Sequence, residues 1–142
     1  CKMARLKDGS FVVMDMVRGR WNADVREKII LKTAHKDKRK TNIIIEQEPG
    51  SGGKESAQNT IRMLAGFKVV KERPQGDKIF RADPFSVQVN NSNVKMLRGS
   101  WNKDFINEFK HFPLSRFKDQ VDAASMAFAK LNKVSSPRVR SL

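Results

Sequence analysis

Three β-branched residues in a row, Ile43, Ile44 and Ile45, end at Glu46 and run into Gln47-Glu48-Pro49-Gly50-Ser51-Gly52-Gly53-Lys54. Consecutive β-branched side chains crowd a helix and suit an extended backbone. A run that is apolar on both faces suits a strand covered on both sides, as in the parallel sheets of α/β proteins. Residues 42–45 are therefore expected to form a buried strand, followed by a glycine turn over 50–53. Strand alternation puts Ile44 and Glu46 on one face and Ile43 and Ile45 on the other. A carboxylate continuing a buried face is costly unless it is paired or metal-bound. Open α/β sheets place ligands at the carboxyl ends of their strands. On these grounds Glu46 is either a site residue or an acid that emerges into solvent beside one of many lysines. Glu48, next to Pro49, reads as a loop residue.

The glycine turn is not a nucleotide cradle. A P-loop requires G-x-x-x-x-G-K-[ST]. Counting back from Gly53-Lys54, its first glycine would fall at Glu48, and Glu55 stands where the Ser or Thr belongs. The plainer reading is a strand-to-helix turn that needs glycine backbones.

The other elements follow from periodicity and punctuation. Apolar runs over 2–6 and 11–17 flank Asp8-Gly9, a hairpin signature. Asn22 can cap a helix over 23–34, with Val25, Ile29, Ile30 and Leu31 facing inward. A basic loop, "HKDKRK", precedes the Ile strand. A helix over 56–65 ends at Gly66. A short strand over 67–70 and a polar connection over 71–78 come next. Helix is expected over 79–89, strand over 93–97 and helix over 101–109, with a break at His111-Phe112-Pro113. The last helix, 118–131, carries a stripe of Val121, Ala124, Ser125, Phe128 and Leu131. Mixed strands and helices argue for a layered α/β fold. The division expected is one domain over 1–134 and a basic, mobile tail over 135–142.

Charge narrows the function. The chain has 142 residues, with 29 Lys and Arg against 15 Asp and Glu, a net charge of +14. Such a balance favours a polyanion, and nucleic acid is the usual one. No apolar stretch is long enough to span a membrane, and no secretory signal opens the chain. The single cysteine, Cys1, cannot close an internal disulfide, which fits a reducing compartment. With no Met before it, the chain reads as a piece of a longer one.

The acids that could do chemistry are few. Asp119 and Asp122, in "KDQVDAASMAF", lie three apart and share a helix face. Like charges there repel unless a cation joins them. A helix N-terminus also favours acids, which accounts for Asp119 better than for Asp122, a neighbour of the buried stripe. A strand-end Glu with a helical Asp pair in a basic chain points to metal-dependent phosphodiester cleavage. In such cleavage several carboxylates hold two ions, and Lys and Arg hold the DNA backbone. His35 and His111 lack ligand spacing and read as surface or structural residues. No serine has a visible base.

The order of the hairpin, "WNADV", "IIIEQEPGSGGK", "GDKIFRAD", "NVKMLRGSWNKDFINEFKHFP" and "DQVDAASMAF" resembles the C-terminal nuclease domain of tailed-phage and prophage terminase large subunits. The likeness spans about residues 4–131. It implies an RNase H-like mixed sheet flanked by helices. It also implies a two-metal endonuclease, dependent on Mg2+ or Mn2+, that cuts concatemeric viral double-stranded DNA in the cytoplasm of the bacterial host. The implied partners are an upstream ATPase domain of the same polypeptide, the portal and the small terminase subunit, with no membrane. The family's strand Glu falls on Glu46. Its late acidic motif falls on residues 118–123, so Asp119 and Asp122 are the expected metal ligands and Lys118 replaces one family acid. Lys54, Lys78, Arg81 and Lys118 are the expected DNA contacts. The resemblance puts the family's first metal-binding Asp, and the central strand that carries it, ahead of Cys1. This chain alone is therefore expected to cut poorly. A catalytically inactive DNA-binding module and a Holliday-junction-resolvase-like nuclease are the alternative readings.

Overall fold

Asp8 turns the chain back at its start. Its Oδ1 accepts from the Ser10 amide at 2.9 Å and the Ser10 hydroxyl at 2.6 Å, an Asx turn that closes a hairpin. The structure, a computed structural model, describes residues 1–133. The expected tail over 135–142 lies outside the described residues. In chain order the elements are β1 (Lys2–Arg5), β2 (Phe11–Asp15), α1 (Ala23–Asp37), β3 (Asn42–Glu46), α2 (Gly50–Met63), β4 (Lys68–Glu72), α3 (Lys78–Asn90), β5 (Val94–Met96), α4 (Asn102–His111) and α5 (Asp119–Lys133). They divide into two compact units, one of residues 1–18 with the described residues from Gly76 on, the other Gly19–Gln75.

The first unit holds a mixed sheet in the order β1-β2-β5. β1 runs antiparallel to β2, and β5 runs parallel to it. Helix α5 packs on β1 and α3, and α4 packs on α5. Phe11, Val13 and Met16 meet Phe85, Phe105, Ala124 and Phe128 in one core. The Phe11 and Phe128 rings meet edge to face at 4.8 Å, a favoured aromatic geometry. The stripe on α5 does what its spacing implies. Val121, Ala124 and Phe128 are buried, and Leu131 packs at the cluster's edge. Ser125 is tolerated there because its hydroxyl donates to the Val121 carbonyl at 2.8 Å, so no polar group is orphaned. Acids in the first turn of α5 and lysines in its last turn match the helix dipole.

The second unit is built on β3 and β4, a parallel pair in register from Asn42 opposite Lys68 to Glu46 opposite Glu72. The Gln47 amide extends the ladder to the Glu72 carbonyl at 2.9 Å. Asn22 caps α1 by accepting from the Val25 amide at 3.0 Å. His35 packs edge-on against Phe67 at 5.2 Å, a structural role.

Two expectations need correction here. The three isoleucines are half-buried rather than buried, because β3 pairs with β4 alone in a two-stranded sheet. The stretch 50–53 is not a free turn before a helix at 56; it is already the first turn of α2. Glycine makes that early start feasible. Gly50 has φ +90°, and a Cβ on Gly53 would lie 2.2 Å from the Glu48 carbonyl oxygen. Any other residue at Gly53 would push the helix away from the strand exit.

Candidate functional site

Lys78, Arg81, Asp119 and Asp122 of the first unit meet where the first turns of α3 and α5 lie together. Asp77 opens α3 by accepting from the Phe80 amide at 2.8 Å. That cap fixes the turn from which Lys78 and Arg81 project. Opposite them, α5 presents Asp119 and Asp122, again three apart. The Asp122 side chain is only 6% exposed, whereas that of Asp119 is 72% exposed.

Arg81 holds Asp122 with a fork. Its Nη2 donates to Oδ1 at 2.7 Å and Oδ2 at 2.9 Å, and its Nε donates to Oδ1 at 3.2 Å. Its Nη1 donates to the Gly76 carbonyl at 3.0 Å. Lys78 Nζ lies 3.3 Å from Asp122 Oδ2 and 3.4 Å from Asp119 Oδ1. The cation that joins the two aspartates is thus the protein's own. Partial burial works against the Lys78 ammonium, but the Asp122 and Asp119 carboxylates outweigh it and raise its pKa above the usual 10.5.

A fifth group sets the helix itself. Glu108, on α4 and 4% exposed, accepts at Oε1 from the amides of Gln120 (2.7 Å) and Val121 (3.1 Å) and at Oε2 from the Gln120 side chain (2.8 Å). It is an N-cap supplied from another helix, satisfying amides that α5 would otherwise leave unpaired. The reading by spacing did not single it out. The available signal was an acid at the i+3 position of the Phe105 and Phe109 stripe, where an apolar residue would be routine.

The structure brings Lys78, Arg81, Asp119 and Asp122 together. Lys118 is exposed just ahead of α5, and its carbonyl accepts from the Asp122 amide at 3.1 Å. Glu46 and Lys54 belong to the Gly19–Gln75 unit. Glu46 is exposed at the end of β3 and Lys54 is exposed just after the first turn of α2. Nucleases of the RNase H-like class generally use divalent metals. As placed, Asp122 does not fit a metal ligand, since both its oxygens accept from Arg81. Among the described residues no three His, Cys, Asp or Glu side chains form a group able to hold an ion. No helix among them is long and apolar enough to cross a membrane.

A mixed sheet carrying packed helices defines an α/β domain. The chain belongs to the terminase RNaseH-like domain family, whose model matches residues 1–131. Neither a curated protein nor a solved structure matches it.

Proposed function

We propose that this chain is the DNA-cutting domain of a terminase large subunit, part of the motor that packages phage or prophage DNA in the host cytoplasm. The observation that carries the reading is the family match over residues 1–131, which takes in every acid and base named above. The net charge of +14 supports a double-stranded DNA substrate. Lys54 and Lys118, both exposed, and Lys78, whose side chain is 42% exposed, are the proposed phosphate contacts. Arg81 is committed to Asp122 and joins them less readily. Glu46, Asp119 and Asp122 are the proposed acids of the cutting centre. Mg2+ or Mn2+ comes with the family as the expected metal, and Asp122, whose two oxygens both accept from Arg81, is not proposed as a direct ligand. The ATPase domain of the same polypeptide, the portal and the small terminase subunit are the proposed partners.

One observation favours a second reading, a DNA-binding module that does not cut. Lys78 and Arg81 already neutralise Asp119 and Asp122, as they would in a purely structural cluster. Two measurements separate the readings: Mn2+ uptake by calorimetry and DNA affinity across a salt series, for the chain and for Glu46→Ala and Asp119→Ala. Salt-graded DNA binding, with Mn2+ uptake lost in both variants, supports cutting. Salt-graded binding with no Mn2+ uptake supports the module. DNA affinity that ignores salt sinks both readings, because phosphate neutralisation must release counterions.

A further inference from the structure

We infer that Glu108 is a positioning residue for Asp119. This rests on the reading of Asp119 as an acid of the cutting centre. The first amides of a helix have no partner within it. In α5 two of them, Gln120 and Val121, point at one carboxylate on α4, at 2.7 and 3.1 Å. The Gln120 side chain adds a third donor at 2.8 Å. Glu108 is thereby a buried acid whose oxygens both find donors, which is what makes a buried carboxylate tolerable.

The consequence falls on the neighbouring residue. Asp119 is exposed, and among the described residues its side chain is held by a 3.4 Å contact to Lys78. Its backbone, however, is bonded directly to the Gln120 amide that Glu108 grips. Arg81 grips Asp122 three residues further on. The first turn of α5 is pinned on both sides of one helical turn, by α4 through Glu108 and by α3 through Arg81. An exposed acid on an unpinned helix start would sweep several positions as the end frays. On this one the turn is held from two sides. A site that must hold reacting groups to within about half an ångström needs such support.

The design of the contact supplies its own control. Glu108→Leu removes both acceptors, whereas Glu108→Gln keeps an oxygen for the two backbone amides and lets the Gln120 side chain turn its own oxygen to the new NH2. Three readouts apply to the 142-residue chain: hydrogen exchange at the Gln120 and Val121 amides, the nuclear Overhauser contact between the side chains of Lys78 and Asp119, and DNA affinity. In Glu108→Leu, exchange at the two amides is expected to quicken by about tenfold, the size of one lost hydrogen bond of about 1.4 kcal/mol. The Lys78–Asp119 contact is expected to weaken while DNA affinity holds, and both changes are expected to be largely reversed in Glu108→Gln. Faster exchange with an undiminished Lys78–Asp119 contact makes Glu108 a helix cap and nothing more, which overturns the inference. So does a Glu108→Gln variant that restores neither. Should Glu108→Leu fold poorly, Glu108→Asp retracts the carboxylate by one methylene and is judged by the same readouts. A DNA-cutting assay on Asp119→Ala judges the functional reading separately. Cutting that survives that change refutes the role of Asp119 and leaves the Glu108 geometry standing.

Discussion

Replacing Arg81 with alanine should cost the first unit about 2–3 kcal/mol. Removing one partner of a buried ion pair typically costs about 3–5 kcal/mol, since the other charge stays buried and uncompensated. Asp122 meets that description, at 6% side-chain exposure. Two features lower the figure: Arg81 is itself 20% exposed, and Lys78 Nζ remains 3.3 Å from Asp122 Oδ2. For a domain of this size the loss corresponds to roughly 6–10 °C in Tm. Arg81→Lys should recover less than half, because an ammonium cannot reproduce the forked contact. Asp122→Ala should cost less than Arg81→Ala, since it leaves a partly exposed guanidinium that still donates to the Gly76 carbonyl. The double variant should fall short of the sum, with a coupling of about 1–2 kcal/mol. The assay is guanidinium unfolding followed by Trp101, which packs on the first unit's core, in a Trp21→Phe background that silences the other unit's tryptophan. Additive losses, with coupling below about 0.5 kcal/mol, would show that the fork contributes nothing beyond packing and would refute the argument.

Two other outcomes follow from the same geometry. The Lys78 pKa is raised above its usual 10.5, so the folded state binds that proton more tightly than the unfolded one. Its contribution is then fully present below 10.5 and is lost as pH rises through the raised value. Lys78→Met should flatten the alkaline limb of a stability-against-pH curve, and an unchanged limb would count against the bridge to the aspartates. Gly53→Ala should destabilise the second unit by about 1–3 kcal/mol, because its Cβ would fall 2.2 Å from the Glu48 carbonyl oxygen. Trp21 fluorescence in a denaturant series reads that loss. A stabilised variant, as helix propensity alone would give, would refute the close approach.

How much of this was legible in the sequence depends on whether the determinant is local. The α5 stripe and the Asn22 cap were readable because each is a relation between residues three to seven apart. The shared face of Asp119 and Asp122 is of the same kind. The burial of the Ile run was overread, because β-branching reports an extended backbone and not how many strands flank it. The partners of the acids were out of reach for a stronger reason. Lys78 and Asp119, like Arg81 and Asp122, stand 41 residues apart, and nothing in a period of 3.6 or 2 links them. Glu108 was hidden differently. It sits 12 residues from its main partner, on a helix whose apolar stripe it interrupts, and an interruption is easily taken for a solvent position.

The two aspartates on one helix face show why spacing alone cannot assign roles. Both meet the same rule, and their surroundings then separate them. Asp122 faces α3, loses its water and takes a guanidinium in exchange, so its charge is spent on joining two helices. Asp119 stays exposed with the Lys78 ammonium 3.4 Å away, so a ligand would compete with one ammonium for its charge. The same division applies to the bases. Lys78 and Arg81 balance Asp119 and Asp122 one for one, so this cluster adds nothing to the net charge of +14. Most of the attraction to a polyanion must then come from lysines and arginines outside it, with Lys78 the one proposed phosphate contact inside it. Variants of Asp122 and Arg81 should accordingly report on stability first, and variants of Asp119, Lys54 and Lys118 on DNA.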